Sequence, residues 1–161
     1  MLVEVSNDFG YVIAVMIDAY QQPFTRTSAF YLQQNFAFVI QVLRQRMATG
    51  IKAPSFYPRD SEIKELKLSK EQVQKYMYAQ RIHQNNMEFM SFFLPVFLVA
   101  GVSNPIHTAA AGAFIFVCRM IYGFVPPKSS IRALSGFFHL GEWYVLYLAG
   151  SFAYNAIYAK A

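Results

Sequence analysis

The sequence predicts an all-α fold, an integral membrane four-helix bundle with left-handed crossings, and three observations lead there. The first is composition. Of 161 residues, 55% are hydrophobic, 17% aromatic and only 14% charged. A soluble domain carries about 25% charge, so this chain lacks the polar residues to cover a water-facing surface. Sixteen Phe, eleven Tyr and a mean hydropathy of +0.26 fit a chain solvated partly by lipid. The second is length. Three apolar runs each reach the roughly 20 residues that cross about 30 Å of hydrocarbon, and short connections make them antiparallel neighbours. The third is the distribution of Lys and Arg, which separates the connections into basic and neutral ones.

The elements follow in chain order, within a single domain spanning residues 1–161. Phe9 to Tyr20 is apolar but short, Asp18 interrupts it, and Pro23 ends it. A first membrane helix is expected within about Thr27 to Met47, with Gln33, Gln34 and Asn35 facing other helices. An odd number of spans stays open at this point. Residues 48–75 form a loop and a helix entry, where Ser69-Lys70-Glu71-Gln72 reads as a capping box. The second span runs from about Tyr76 to Val102, apolar from Met87 on, and Ala100 to Pro105 is a tight break. The third runs from about Ile106 to Val125 and stops at Pro126-Pro127. The last runs from about Ile131 to Tyr158. No basic n-region precedes a clean apolar run at the start, so insertion is expected to use these internal helices.

Charge orients the spans. Arg44, Arg46, Lys52, Arg59, Lys64, Lys67, Lys70 and Lys75 lie between the first and second, and Lys128 and Arg132 between the third and fourth. Gly101 to Thr108 has neither Lys nor Arg. The basic connections therefore belong on the cytosolic side. Asp60, Glu62, Glu65 and Glu71 dilute the long one, and it lacks interleaved aromatics, so no nucleic-acid site is expected.

The stretch Gln80-Arg81-Ile82-His83-Gln84-Asn85-Asn86-Met87-Glu88-Phe89 leads straight into the apolar Met90 to Val102. Arg81, Asn85 and Glu88 share one helical face. Ionisable groups at a membrane helix mark a functional site by default. Arg46, Arg119, Tyr122 and Arg132 are expected at the same membrane face. Arginine grips carboxylates bidentately, Asn85 both donates and accepts, and Glu88 suits an ammonium. A peptide with two carboxylates and one amine fits this inventory, and glutathione is such a peptide. A nearby arginine also lowers a thiol pKa from about 8.5. The alternative is a surface ion pair between Arg81 and Glu88, with arginines snorkelling to headgroups.

Other groups are set aside. His83 lies nearly opposite Arg81 on the helix, which suits packing or an inter-helix hydrogen bond. His107 and His139 have no metal-ligand spacing, so no metal is expected. Cys118, the one cysteine, sits in apolar company and reads as structural. Neither a Gly-rich phosphate loop nor a Ser-His-Asp pattern occurs. Tyr144, Tyr147, Tyr154 and Tyr158 suit an aromatic belt or packing.

The run Gln80-Arg81-Ile82-His83-Gln84-Asn85 with Glu88 resembles the second-helix signature of the membrane-associated proteins in eicosanoid and glutathione metabolism. It is most similar to their type-three microsomal glutathione transferases. Phe93-Leu94-Pro95, Gly101, Pro105, Arg119 with Tyr122, and Arg132-Ala133-Leu134 continue the resemblance, and Asp8-Phe9-Gly10-Tyr11-Val12-Ile13 looks like the family's opening. The resemblance implies a homotrimer that binds glutathione between subunits near the cytosolic side. It implies that Arg46, Arg81, Asn85, Glu88, Arg119 and Tyr122 bind glutathione and that Arg132 stabilises the thiolate. Two departures remove ligand hydroxyls. Phe89 stands where leukotriene-synthesising relatives have tyrosine, and Gly123-Phe124-Val125-Pro126-Pro127 lacks a second tyrosine.

The expectation is a membrane-bound glutathione transferase, with peroxidase or leukotriene-synthesising chemistry as variants, acting on lipophilic electrophiles or lipid hydroperoxides. Its partners are glutathione or a related thiol, a lipophilic substrate, membrane lipid and further copies of itself. The endoplasmic reticulum is the favoured compartment and the mitochondrial outer membrane the alternative. The competing expectation is a non-catalytic lipid-binding scaffold. A small transporter subunit would carry polar residues through the whole second span, and Met90 to Val102 has almost none beyond Ser91.

Overall fold

A computed structural model describes residues 22–158. Phe9 to Tyr20 and the Asp8–Ile13 stretch lie outside the described residues. The described secondary structure is helical throughout: α1 (Gln22–Thr49), α2 (Asp60–Glu65), α3 (Lys70–Ser103), α4 (Pro105–Phe124), a 3-10 helix (Ser130–Phe137) and α5 (Phe138–Tyr158).

Local chemistry explains the boundaries. Gly50, at φ +75°, turns the chain out of α1 in a conformation that suits glycine. The expected capping box starts α3. Ser69 Oγ accepts from the Gln72 N–H at 3.2 Å, and Gln72 Oε1 accepts from the Ser69 N–H at 2.9 Å. Pro105 opens α4, with Asn104 alone between it and the end of α3.

The last expected span, residues 131–158, is divided. Its first part is the 3-10 helix, and only Phe138–Tyr158 is α-helical. Ser135 Oγ donates to the Arg132 carbonyl at 2.6 Å, and Gly136 follows. A hydroxyl competing for a backbone carbonyl and a glycine together weaken regular α-helix here.

Hydrogen bonds fix the mutual register of the helices. Tyr31 Oη donates to the Gly112 carbonyl at 2.8 Å, Gln34 Nε2 to Phe116 at 3.3 Å and Gln41 Nε2 to Gly123 at 3.5 Å. Increasing numbers match increasing numbers, so α1 and α4 run in the same direction. Asn86 Nδ2 donates to Asn35 Oδ1 at 3.4 Å, and Arg46 lies over the Tyr76 ring. α3 therefore runs against α1. Phe138 lies beside Arg119 and Gly141 beside Ile115, so α5 runs against α4. The basic connections share one end of the molecule, and the Ser103–Pro105 break lies at the other. Gln34 and Asn35 do face other helices, whereas Gln33 is exposed.

The core gathers Tyr31, Phe93, Phe97, Ala100, Ala109, Ile115, Val145 and Leu148. Tyr31 anchors it, with its ring 5.5 Å from Phe93 and 5.7 Å from Phe97. Cys118 is free and buried, as expected of a structural cysteine. Small residues permit the closest helix contacts. A Cβ on Gly123 would stand 2.6 Å from Phe38 Cζ, and one on Gly141 would stand 2.7 Å from Ile115 Cγ1.

Phe36, Phe92, Leu98, Ile106, Val117, Leu140 and Trp143 are exposed. So broad an apolar surface is a liability in water and the natural outer face of a chain in lipid. Among the described residues, α3 and α4 are long and apolar enough to cross a membrane.

Candidate functional site

Arg81, Asn85, Glu88 and Tyr122 line one cleft of about 310 Å³, together with Gln84 and Tyr57. The three α3 residues stand one turn apart on the exposed face of the helix, at the end that carries the basic connections. Tyr122 comes from the last turn of α4, and Tyr57 from the connection between α1 and α3.

A short hydrogen-bond chain runs along the cleft. Tyr57 Oη donates to Gln84 Oε1 at 2.6 Å, and Gln84 Nε2 donates to Glu88 Oε1 at 3.1 Å. Glu88 therefore takes an amide rather than Arg81 as its neighbour. Among the described residues Lys75 pairs with Glu71, and the His139 ring Nδ1 meets Glu142 Oε2 in a hydrogen bond, both at 2.8 Å. The Arg81–Glu88 surface pair is thus not formed, and Arg81 presents its guanidinium fork to the cleft region without an acidic partner among the described residues.

Arg132 does not line that cleft but lies over the ring of Tyr122. Its guanidinium lies 4.3 Å from the centre of the Tyr122 ring and 4.9 Å from that of Tyr78. One Nη donates to the Val125 carbonyl at 3.1 Å, and Tyr78 Oη donates to the same carbonyl at 3.2 Å. Arginine keeps its charge at neutral pH. Arg81 and Arg132 thus occupy the same end of the molecule, and Tyr122 shares the cleft with the first and a ring contact with the second.

Arg119 takes a different place. It is 3% exposed and is held inside the protein. Its guanidinium donates to Asn86 Oδ1 at 3.4 Å, to the Asn85 carbonyl at 3.3 Å and to Asn85 Oδ1 at 3.2 Å. The Phe89 ring lies 4.0 Å away and the Phe138 ring 5.3 Å. Amides and aromatic faces, rather than a carboxylate, make the direct contacts to this cation. The arrangement ties α4 to α3 and α5, and it turns Asn85 Oδ1 inward. The Asn85 amide N–H groups are left for the cleft. Phe89 stacks on Phe93 at 4.7 Å and supports Arg119.

Arg46 also faces away from the cleft. It donates to the Ser55 carbonyl at 2.9 Å and to the Ile51 carbonyl at 3.5 Å. Its guanidinium lies 5.6 Å from the Tyr76 ring centre. The structure therefore brings together Arg81, Asn85, Glu88 and Tyr122, sets Arg132 against their edge, and leaves Arg119 and Arg46 outside.

His83 Nδ1 is buried with no hydrogen-bond partner among the described residues. It packs beside an apolar cleft of about 550 Å³ lined by Phe56, Tyr57, Gln80, Gln84 and Met87. Another cleft, about 510 Å³, lies within the connection around Lys52, Arg59 and Glu62 and contains none of the expected site residues.

Tyr57, Gln84, Asn86 and Tyr78 were not among the expected site residues. Gln84 carried a legible signal, since it precedes Glu88 by four residues on one helix. Tyr57 carried none: nothing in an irregular connection says which side chain folds back onto a helix 27 residues ahead.

The family model described as the MAPEG family matches residues 24–154. No curated protein matches the chain. No solved structure matches it either.

Proposed function

The chain belongs to the MAPEG family, and from that premise we propose that it is a membrane glutathione transferase or peroxidase. Family membership and the two apolar helices make it a membrane protein of glutathione-related or eicosanoid metabolism. The observation that carries the finer reading is the single cleft shared by Arg81, Asn85, Glu88 and Tyr122, with Arg132 stacked on Tyr122.

The roles follow from chemistry. Arg81 takes a glutathione carboxylate through its planar fork. Asn85 donates from its amide, and Glu88 receives the ammonium. Tyr122 and Arg132 face the sulfur. A fixed cation there stabilises thiolate over thiol and so raises the nucleophile fraction at neutral pH. The thiolate sulfur forms a bond to an electrophilic carbon; either a leaving group departs from that carbon with its electron pair, or the pair of an opened double bond or epoxide moves to the neighbouring atom, which takes up a proton. With a lipid hydroperoxide, two thiols yield one disulfide, an alcohol and water. The lipophilic partner reaches the site laterally from the bilayer. The reading includes a four-helix bundle that trimerises, glutathione between subunits, and the endoplasmic reticulum as compartment.

One observation favours a second reading, a non-catalytic lipid-binding scaffold. Arg46, Arg119 and Phe89 are engaged in packing rather than turned to the cleft. A single experiment separates the two. The protein is purified in detergent, glutathione is added, and the ultraviolet thiolate band is recorded, followed by conjugation to a generic electrophile. Transferase chemistry gives both signals. Absence of both in folded protein overturns the enzymatic reading and leaves the scaffold.

A further inference from the structure

The connection between α1 and α3 is fastened from both sides at one carbonyl. Arg46 of α1 donates to the Ser55 carbonyl at 2.9 Å, and Tyr76 of α3 donates to the same oxygen at 3.0 Å. Ser55 Oγ donates to Glu62 Oε2 at 2.9 Å, which holds α2 to the same point. Ile51 is 2% exposed and plugs the connection into the protein. Two residues beyond Ser55, Tyr57 extends its hydroxyl to Gln84 Oε1 at 2.6 Å and lines the cleft of Arg81, Asn85, Glu88 and Tyr122.

That contact orders the amide beyond it. With Gln84 Oε1 occupied by the phenol, the Gln84 NH₂ faces Glu88 and donates to Oε1. The orientation leaves Glu88 Oε2 as the acceptor for an incoming cation. The phenol oxygen adds a second acceptor at the same wall, since a donating hydroxyl keeps its lone pairs.

We propose that Tyr57 is the positioning residue for the amine end of the bound thiol peptide, and that Arg46 acts on that ligand by holding the connection rather than by touching it. The inference rests on the proposal that Glu88 receives a ligand ammonium. It makes binding selective for an amine through a phenol and an amide that set the carboxylate.

The test measures binding by calorimetry in detergent for two ligands: glutathione and glutaryl-cysteinylglycine, which lacks only the amine. Tyr57→Phe keeps the ring and removes the hydroxyl at a residue that is 44% exposed, so the fold has no reason to change. The expected result is glutathione binding weakened about 5- to 10-fold, the size of one lost hydrogen bond between neutral groups, with the amine-free analogue changed less than about 2-fold. Arg46→Gln shows the same selectivity, and adding Tyr57→Phe to it costs little more, because both act through one contact. Equal weakening of both ligands, no weakening of either, or multiplying effects in the double variant each overturn the proposal. Wild-type protein that binds neither ligand overturns the site reading itself, which the wild-type titration reports before any variant is made.

Discussion

Arg119→Ala removes the cation that joins α3, α4 and α5. The contacts at Asn86 and at Asn85 are 3.2 to 3.4 Å long, so each site is placed at the low end of charge-assisted bonds, about 1.5 kcal/mol. The two aromatic faces at 4.0 and 5.3 Å add about 1 to 2 kcal/mol for a desolvated cation. Asn86 is fully buried, and stranding its Oδ1 costs about 1 to 3 kcal/mol more. Relief of guanidinium desolvation offsets part of this sum. The net loss is about 3 to 5 kcal/mol, in line with breaking a buried polar pair. At about 2 to 4 °C per kcal/mol for a chain of this size, the melting temperature falls by about 6 to 20 °C. The assay is a thermal melt followed by circular dichroism at one scan rate in one detergent. Arg119→Lys keeps charge but loses the planar fork and ring stacking, so it melts between wild type and alanine. An alanine variant melting within about 2 °C of wild type, well inside the smallest loss expected from these contacts, refutes an internal structural role and returns Arg119 to the ligand.

Two further outcomes are expected. Gly123→Ala drives a methyl group into the Phe38 ring, and overpacking of this kind costs about 1 to 3 kcal/mol; the same melt reads it, and no change means that α1 and α4 are not in close contact there. Arg132→Ala leaves glutathione binding within a few-fold but lowers turnover by about 10²-fold or more, the scale of losing one electrostatic stabiliser. Its rate also rises with pH toward the ordinary thiol pKa of about 8.5, and a wild-type rate and pH profile in that variant removes its assigned role.

The long helices were legible because each rests on many residues at once: apolar runs of span length, the Pro105 and Pro126-Pro127 stops, and the Ser69 to Gln72 cap. The 3-10 segment was not, because Ile131 to Phe137 is as apolar as a helix start. Its geometry depends on Ser135 bonding back to Arg132, a contact within three residues that composition does not reveal. Arg81, Asn85 and Glu88 were legible as one face by helical spacing alone. Spacing does not tell whether a neighbouring arginine points into a cleft or into the protein. Arg119 turned inward because Asn86, adjacent to Asn85 but on the buried side, offered an amide oxygen and Phe89 offered a ring face. Arg46 turned to Ser55 because the connection folds back across the end of α1. The first outcome depends on contacts between helices far apart in sequence, and the second on how an irregular connection nine residues on folds back.

Equilibrium dialysis of labelled glutathione against detergent-solubilised wild type and Arg81→Gln probes the shared cleft most directly. Arg81→Gln keeps polarity and approximate length while removing the fork that would grip a carboxylate. Saturable binding by wild type, weakened at least about 10-fold in the variant, equivalent to about 1.4 kcal/mol, is the predicted result. Equal retention of glutathione by both proteins would contradict the assignment of that helix face to an acidic thiol peptide.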